Sequence, residues 1–256
     1  MPLRIAIAAV VIAVLAALGY YVLRPYLEPP PPPPAAQAQA PAPKPAQPQF
    51  PIGAGAKALP KLGESDPALR ESLSGLVDAK ALGKLFNLED GIRHIVATVD
   101  NLPRETIARR VNPVRPVPGL FVTTGKDETL AIAPKNAARY APLVGLIEGV
   151  DTPKAVAAYV YLYPLFQQAF VELGYPDGHF NDRLVEVIDH LLDAPEPKGP
   201  VKLVTPHVLY EYADPDLERL SAGQKMMIRA GAENESRLKV KLKQVRAEVV
   251  AAAAKR

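Results

Sequence analysis

Hydrophobic positions are dealt out unevenly along this chain. From Ile5 to Leu23, "IAIAAVVIAVLAALGYYVL" runs 19 residues without a charge. As a helix it would span about 28 Å at 1.5 Å per residue, close to the hydrocarbon thickness of a bilayer. Residues 25–60 then carry few bulky apolar side chains, and helical spacing begins near Ser65. "SDPALRESLSGLVD" places Leu69, Leu73, Leu76 and Val77 on one face, with Ser65 as N-cap. A second periodic run covers Leu85 to Val99 and ends in "DNLPRE", where Pro103 stops the helix or starts another. "GLFVTTGKDETLAIAP" predicts two short strands around a Gly-containing turn. "PKNAARYAPLVGLIEG" predicts a helix interrupted by Pro142 and Gly145.

The strongest helical pattern is "DTPKAVAAYVYLYPLFQQAFVELGYP". Thr152 can cap it, Pro153 fits its first turn, and Pro164 should kink or split it. Val156, Tyr159, Val160, Tyr163, Phe166 and Phe170 form its stripe, and Gly174 suits a left-handed C-cap. "VKLVTPHVLYEY" alternates as one or two short strands, and Ser221 to Gln224 reads as a capping box opening another helix. "LKVKLKQV" alternates too, yet Leu238, Leu242, Val245 and Val249 keep heptad-like spacing and "AEVVAAAA" follows, so a helix is expected there. The expected fold is α+β: a mainly helical domain with a few short strands, over residues 61–256.

The apolar run is longer than the usual core of about 7–15 residues in a cleaved signal peptide. Its best small-x-small site, Ala17-Leu18-Gly19, lies inside the run, and Pro41 follows the alternative, Ala38-Gln39-Ala40. Residues 1–24 are therefore expected to be an uncleaved transmembrane anchor, with cleavage as the competing reading. Arg4 and Arg24 flank it, and Tyr20, Tyr21 and Tyr26 stand where an interfacial belt would lie. The short N-terminal tail favours N-in, which places the C-terminal domain in the periplasm of a single-pass inner-membrane protein. Residues 25–60 hold 13 of the 29 prolines, six of them at Pro29–Pro34. That composition predicts a stiff polyproline spacer, at most about 100 Å long over residues 29–60 at 3.1 Å each. A ligand for a proline-binding partner is the alternative to a simple stalk.

Charge divides the domain. Residues 61–224 carry 17 Lys/Arg against 23 Asp/Glu, whereas residues 225–256 carry 9 against 3. The basic end, with Lys239, Lys241, Lys243 and Arg246, reads as a solvated helix face. Contact with anionic lipid or nucleic acid is the alternative, and a periplasmic location removes the nucleic acid. The Leu238/Leu242/Val245/Val249 seam offers self-association through the C-terminal helix, although about two heptads is short for a free coiled coil. The absence of cysteine excludes thiol chemistry and disulfides.

The densest candidate chemistry is "GYPDGHFNDRLVEVIDHLLDAP", residues 174–195. With Asn181 as N-cap, Phe180 and Val185 form a hydrophobic staple, and Leu184, Val187, Ile188 and Leu191 make a buried stripe. Asp182, Glu186, Asp189 and Asp193 then share a solvated face, and Glu186 can pair with His190. Against this structural reading stands a site. Glu186 and His190 supply two metal ligands from one face, joined by His179 or Asp177, although no H-E-x-x-H is present. Paired-carboxylate catalysis needs a cleft that sequence cannot show. No G-x-S-x-G, P-loop or G-x-G-x-x-G occurs. No cofactor is expected. Asp177, His179, Asp182, Arg183, Glu186 and His190 form the candidate interaction surface.

"YPLFQQAFVELGYPDGHFNDRLVEVIDHLLDAPEPKGPVKLV" and "YEYADPDLERLSAGQKMMIRAG", with "VDNLPRE", "GLFVTTGK" and "NAARYAPLV", resemble the domain of unknown function 3014 family over roughly residues 60–250. The resemblance implies a single-pass, proline-linked envelope protein of Gram-negative bacteria, and it assigns no activity, ligand or catalytic residue. The expected function is a non-enzymatic binding or scaffold protein with an envelope protein partner. The alternative is a hydrolase or metal-dependent enzyme using the Asp177–His190 region.

Overall fold

A computed structural model describes residues 47–53, 58–106 and 109–254. The expected anchor and the spacer up to residue 46 lie outside the described residues. Among the described residues, no helix is long and apolar enough to cross a membrane.

Helix α1 (Asp66–Ser74) opens with Pro67 in its first turn. Ser65 precedes it but does not cap it, because its hydroxyl turns back and donates to the Leu62 carbonyl at 2.6 Å. Helix α2 (Ala79–Leu85), which the periodicity does not predict, is capped by Asp78, whose carboxylate accepts from the N–H groups of Lys80 and Ala81. The run expected from Leu85 to Val99 is broken, and α3 occupies Gly91–Asn101. The break has a long-range cause. Asp90 adopts a left-handed φ of 48°, and the Asp66 carboxylate of α1 accepts from the N–H groups of Asp90 and Gly91 at 2.9 and 3.0 Å.

Strands β1 (Thr123–Thr124) and β2 (Ala131–Ile132) pair antiparallel as expected, with Gly125 at φ +75° in the turn. Helix α4 (Lys135–Gly149) runs uninterrupted through Pro142 and Gly145. Helix α5 (Thr152–Glu172) likewise carries Pro164 without splitting. An interior proline costs about 3 kcal/mol in an isolated helix, so packing must offset it. Eight α5 residues are buried, and α4 packs against two later helices, Ala222–Ala230 and Ala232–Ala254. Asp151 caps α5 in place of Thr152, accepting from Lys154 N–H at 2.9 Å, and Gly174 beyond its end has φ +116°.

Helix α6 spans Phe180–Leu192. Strands β3 (Leu203–Val204) and β4 (Glu211–Tyr212) form a second hairpin, and a bridge from Ala131 to Lys202 sets the two hairpins side by side. The short α7 (Pro215–Glu218) leads to α8 (Ala222–Ala230) and the long α9 (Ala232–Ala254). The expected capping box of α8 is half made. Ser221 Oγ accepts from Gln224 N–H, but the Gln224 side chain donates to the His190 carbonyl instead of reaching back.

The domain is thus mainly helical with a few short strands. Its largest core gathers Ile92 and Val96 of α3, Leu162 and Phe166 of α5, and Phe180 of α6. Helix α9 packs against α4, α5, α6 and α8. The Val245 and Val249 part of its apolar seam is turned inward, into a cluster with Val156, Val185 and Phe50.

Candidate functional site

The sequence puts its candidate chemistry on α6, and the structure shows what each of those side chains touches. Gln167 of α5 sets the start of this helix. Its Oε1 accepts from Phe180 N–H at 2.8 Å and its Nε2 donates to the Gly178 carbonyl at 2.7 Å. His179 therefore stands at the N-cap position, and Asn181 is the second residue of the helix, 0 % exposed. Asn181 does not cap; its Oδ1 accepts from the Tyr159 hydroxyl at 2.9 Å, and its Nδ2 donates to the Phe50 carbonyl at 2.7 Å. The Phe180–Val185 staple is not made either, since Phe180 enters the main core and Val185 the α9 cluster. Asn181→Ala would orphan a buried hydroxyl and a carbonyl together, so it should cost about 2 kcal/mol, more than a lost cap alone. Urea denaturation of the variant checks this.

The face expected to be merely solvated is bonded at most positions. Asp182 accepts from the backbone N–H groups of Gln49 and Phe50 at 2.9 and 2.8 Å. Asp189 pairs with Arg246 of α9, with Nη2 2.9 Å from Oδ2. Arg183 reaches α3, where its Nε donates to Asp100 Oδ1 at 3.0 Å and its Nη2 to the Asp100 carbonyl at 2.9 Å. Its Nη1 takes Glu186 at 2.9 Å, so the expected Glu186–His190 pair is not formed. These carboxylates hold the Arg183 guanidinium above its ordinary pKa against the opposing effect of burial. Asp177 lies exposed in the turn before the helix. In the buried stripe, Val187, Ile188 and Leu191 are buried as expected, while Leu184 is only partly so.

The basic face of α9 is bonded as well. Lys241 is buried and donates to the carbonyls of Glu148 and Val150, and to Thr152 Oγ1 at 2.9 Å. It closes the last turn of α4 and the first of α5 with one ammonium. Lys239 donates to the Ala194 carbonyl at 2.6 Å and to Glu196 at 2.8 Å. Lys243 alone of the four expected cations is left on the outside.

One contact has the form of a catalytic pair. His190 Nε2 lies 2.8 Å from Ser221 Oγ. A nucleophile and its base meet at such a distance, but the base also needs an orienting group and the nucleophile needs access. Ser221 is buried, its oxygen is spent on the α8 N-terminus, and neither residue lines the apolar cavity beside the α8–α9 junction or the groove between α1 and α2. Among the described residues, no three His, Asp or Glu side chains come together as a metal-binding set.

The first cavity, of about 350 Å³, lies between the β2–α4 corner, residues 197–201 and the α8–α9 junction, and it is mostly apolar. The second, of about 760 Å³, is an open groove between α1 and α2 bearing Arg70, Glu71 and Arg115. Sequence reasoning missed both, because their linings are scattered along the chain. The model of a family described as "Protein of unknown function (DUF3014)" matches residues 91–246. The chain belongs to this family. The family segment begins at α3, later than the resemblance suggested, and so includes α3 to most of α9 but neither α1 nor α2. It contains the whole first cavity and little of the second. No curated protein and no solved structure matches the chain.

Proposed function

We propose that this is a non-enzymatic binding or scaffold protein of the cell envelope, tethered to the inner membrane by residues 5–23, with the domain of residues 61–256 in the periplasm. The uncharged run between Arg4 and Arg24 supports the tether, and the prolines of residues 25–60 support a spacer.

The observation that carries the binding reading is how side chains are allotted. Asp182, Arg183, Asp189 and His190 are spent on neighbouring backbone and side chains. Large apolar side chains are meanwhile left outside on the two hairpins. Leu120 is 86 %, Val208 93 % and Leu209 76 % exposed, and the Phe121–Tyr210 ring contact at 5.8 Å brings their loops together. An exposed apolar patch of this kind marks an interaction surface. The partner is an envelope protein that covers this patch.

Two experiments test the reading. Protease added to spheroplasts should remove the domain while leaving the anchor with the membrane; full protection would reverse the topology. A photo-crosslinker at Leu209 should give one discrete adduct in intact cells, and one at Glu186 should give none. Adducts at both positions or at neither would end the proposal for this surface. Glu186→Gln should in any case change stability by no more than about 0.5 kcal/mol, since its partner Arg183 keeps Asp100.

A further inference from the structure

Glu235 sits in the first turn of α9, 0 % exposed, and lines the floor of the first cavity. Neither of its carboxylate oxygens has a hydrogen bond. Its ion-pair partner is the Lys239 ammonium one turn on, 3.4 Å from Oε1. That ammonium is already committed to the Ala194 carbonyl and to Glu196. Two carboxylates thus share one ammonium, and the division is unequal. Lys239 holds Glu196 below the ordinary carboxylate range, while burial pushes Glu235 above it, with Glu196 adding to the rise and Lys239 opposing it. A buried carboxyl without hydrogen-bond donors is costly to keep, and its return in the fold is one long ion pair with Lys239 and a place in the first turn of α9.

The walls around Glu235 are small and apolar: Ala133, Pro134 and Ala137 on one side, Pro200 and Ile228 on another. The volume, about 350 Å³, and a mostly apolar lining with one polar group are the features of a small-molecule site. Arg229 also lines the cavity but is exposed, and its guanidinium is turned to the Tyr212 ring, 5.8 Å from the centroid. The Glu196–Lys239–Glu235 group is short of one positive charge.

We propose that this cavity binds a small organic cation, an ammonium on an apolar body, whose N–H groups hydrogen-bond to Glu235. The cation supplies the donors that Glu235 lacks and the charge that Lys239 cannot give twice. Its apolar part fills the space between the β2–α4 corner and the α8–α9 junction.

The test uses the full chain in detergent and three probes of matched shape: phenethylammonium, 3-phenylpropanoate and 2-phenylethanol. Calorimetric titration should show phenethylammonium binding at least ten-fold tighter than the other two. Glu235→Gln should bring the three within two-fold of one another. Without ligand, Glu235→Gln should melt no lower than the parent. It should also remove the parent's loss of stability as pH rises from the ordinary carboxylate range through the raised pKa of Glu235. Ala232→Phe, at an exposed lining position, should block binding with the melt unchanged. Equal affinity for the three probes, a cation preference that survives Glu235→Gln, or a Glu235→Gln protein that melts lower would each overturn the proposal. The last result would make Glu235 a structural ion-pair member of α9.

Discussion

Asp100→Ala should lower the melting temperature by about 6–12 °C. Asp100 is 1 % exposed near the end of α3 and is the point where three elements meet. Its carboxylate accepts from Arg183 Nε at 3.0 Å, from Arg104 Nη2 at 2.7 Å and from the Tyr175 hydroxyl at 3.2 Å. Removing one member of a buried pair costs roughly 3–5 kcal/mol, because the other charge is left without compensation. Here the lower end applies. Arg104 is half exposed and regains water, whereas the Arg183 side chain is only 20 % exposed and keeps Glu186 as its one carboxylate partner. A loss of about 3 kcal/mol corresponds to that temperature shift in a domain of this size. A buried pair is also poorly screened, so the effect should persist at high salt. Thermal melts followed by circular dichroism at low and high salt check both points. A shift under 2 °C would show that the network is not energetically coupled.

Lys241→Met should be similarly damaging, at about 3 kcal/mol, although methionine reproduces the lysine stem as far as Cε and belongs in a buried place. The ammonium gives its three protons to three oxygens, the Glu148 and Val150 carbonyls and the Thr152 hydroxyl, with no carboxylate in the set. The first two belong to the C-terminal end of α4, where carbonyls lack intrahelical partners and the helix dipole is negative. Each oxygen left unpaired and buried costs about 1–3 kcal/mol, and the relief from no longer burying a charge offsets part of the sum. Thr152→Val removes one acceptor and should cost less than Lys241→Met. Urea denaturation of both variants gives the ordering, and a Lys241→Met protein as stable as the parent would refute this account.

The helices that can be read from the sequence are those whose apolar spacing is repeated over several turns. The stripes of α5 and α6 and the long α9 are legible for that reason, and so are the hairpin around Gly125 and the strand character after Val201. Legibility fails where a partner far along the chain decides. Asn181 has the composition of an N-cap, yet its partner Phe50 lies 131 positions away and the true donor-satisfying group at that helix start is Gln167. Asp66 defines the break before α3 from 24 residues upstream. The lysines of α9 look like a solvated stripe because a pattern of charges records only that they are polar. Lys241 is 8 % exposed because α4 ends directly opposite it, which no local window contains. Glu235 is hidden for the same reason: a glutamate in a first helical turn is ordinary, and only the fold closes it in.

The attachment of Gln49 and Phe50 has a mechanical consequence. Two backbone N–H groups are held by the Asp182 carboxylate, and the Phe50 carbonyl is held by Asn181. A pull on the chain ahead of residue 49 is therefore delivered at once to the first turn of α6, and through the Tyr159–Asn181 bond to the middle of α5. The load reaches the two helices with the densest aromatic packing before it reaches α1 to α3. Under tension the early helices are bypassed, and the domain hangs from its centre.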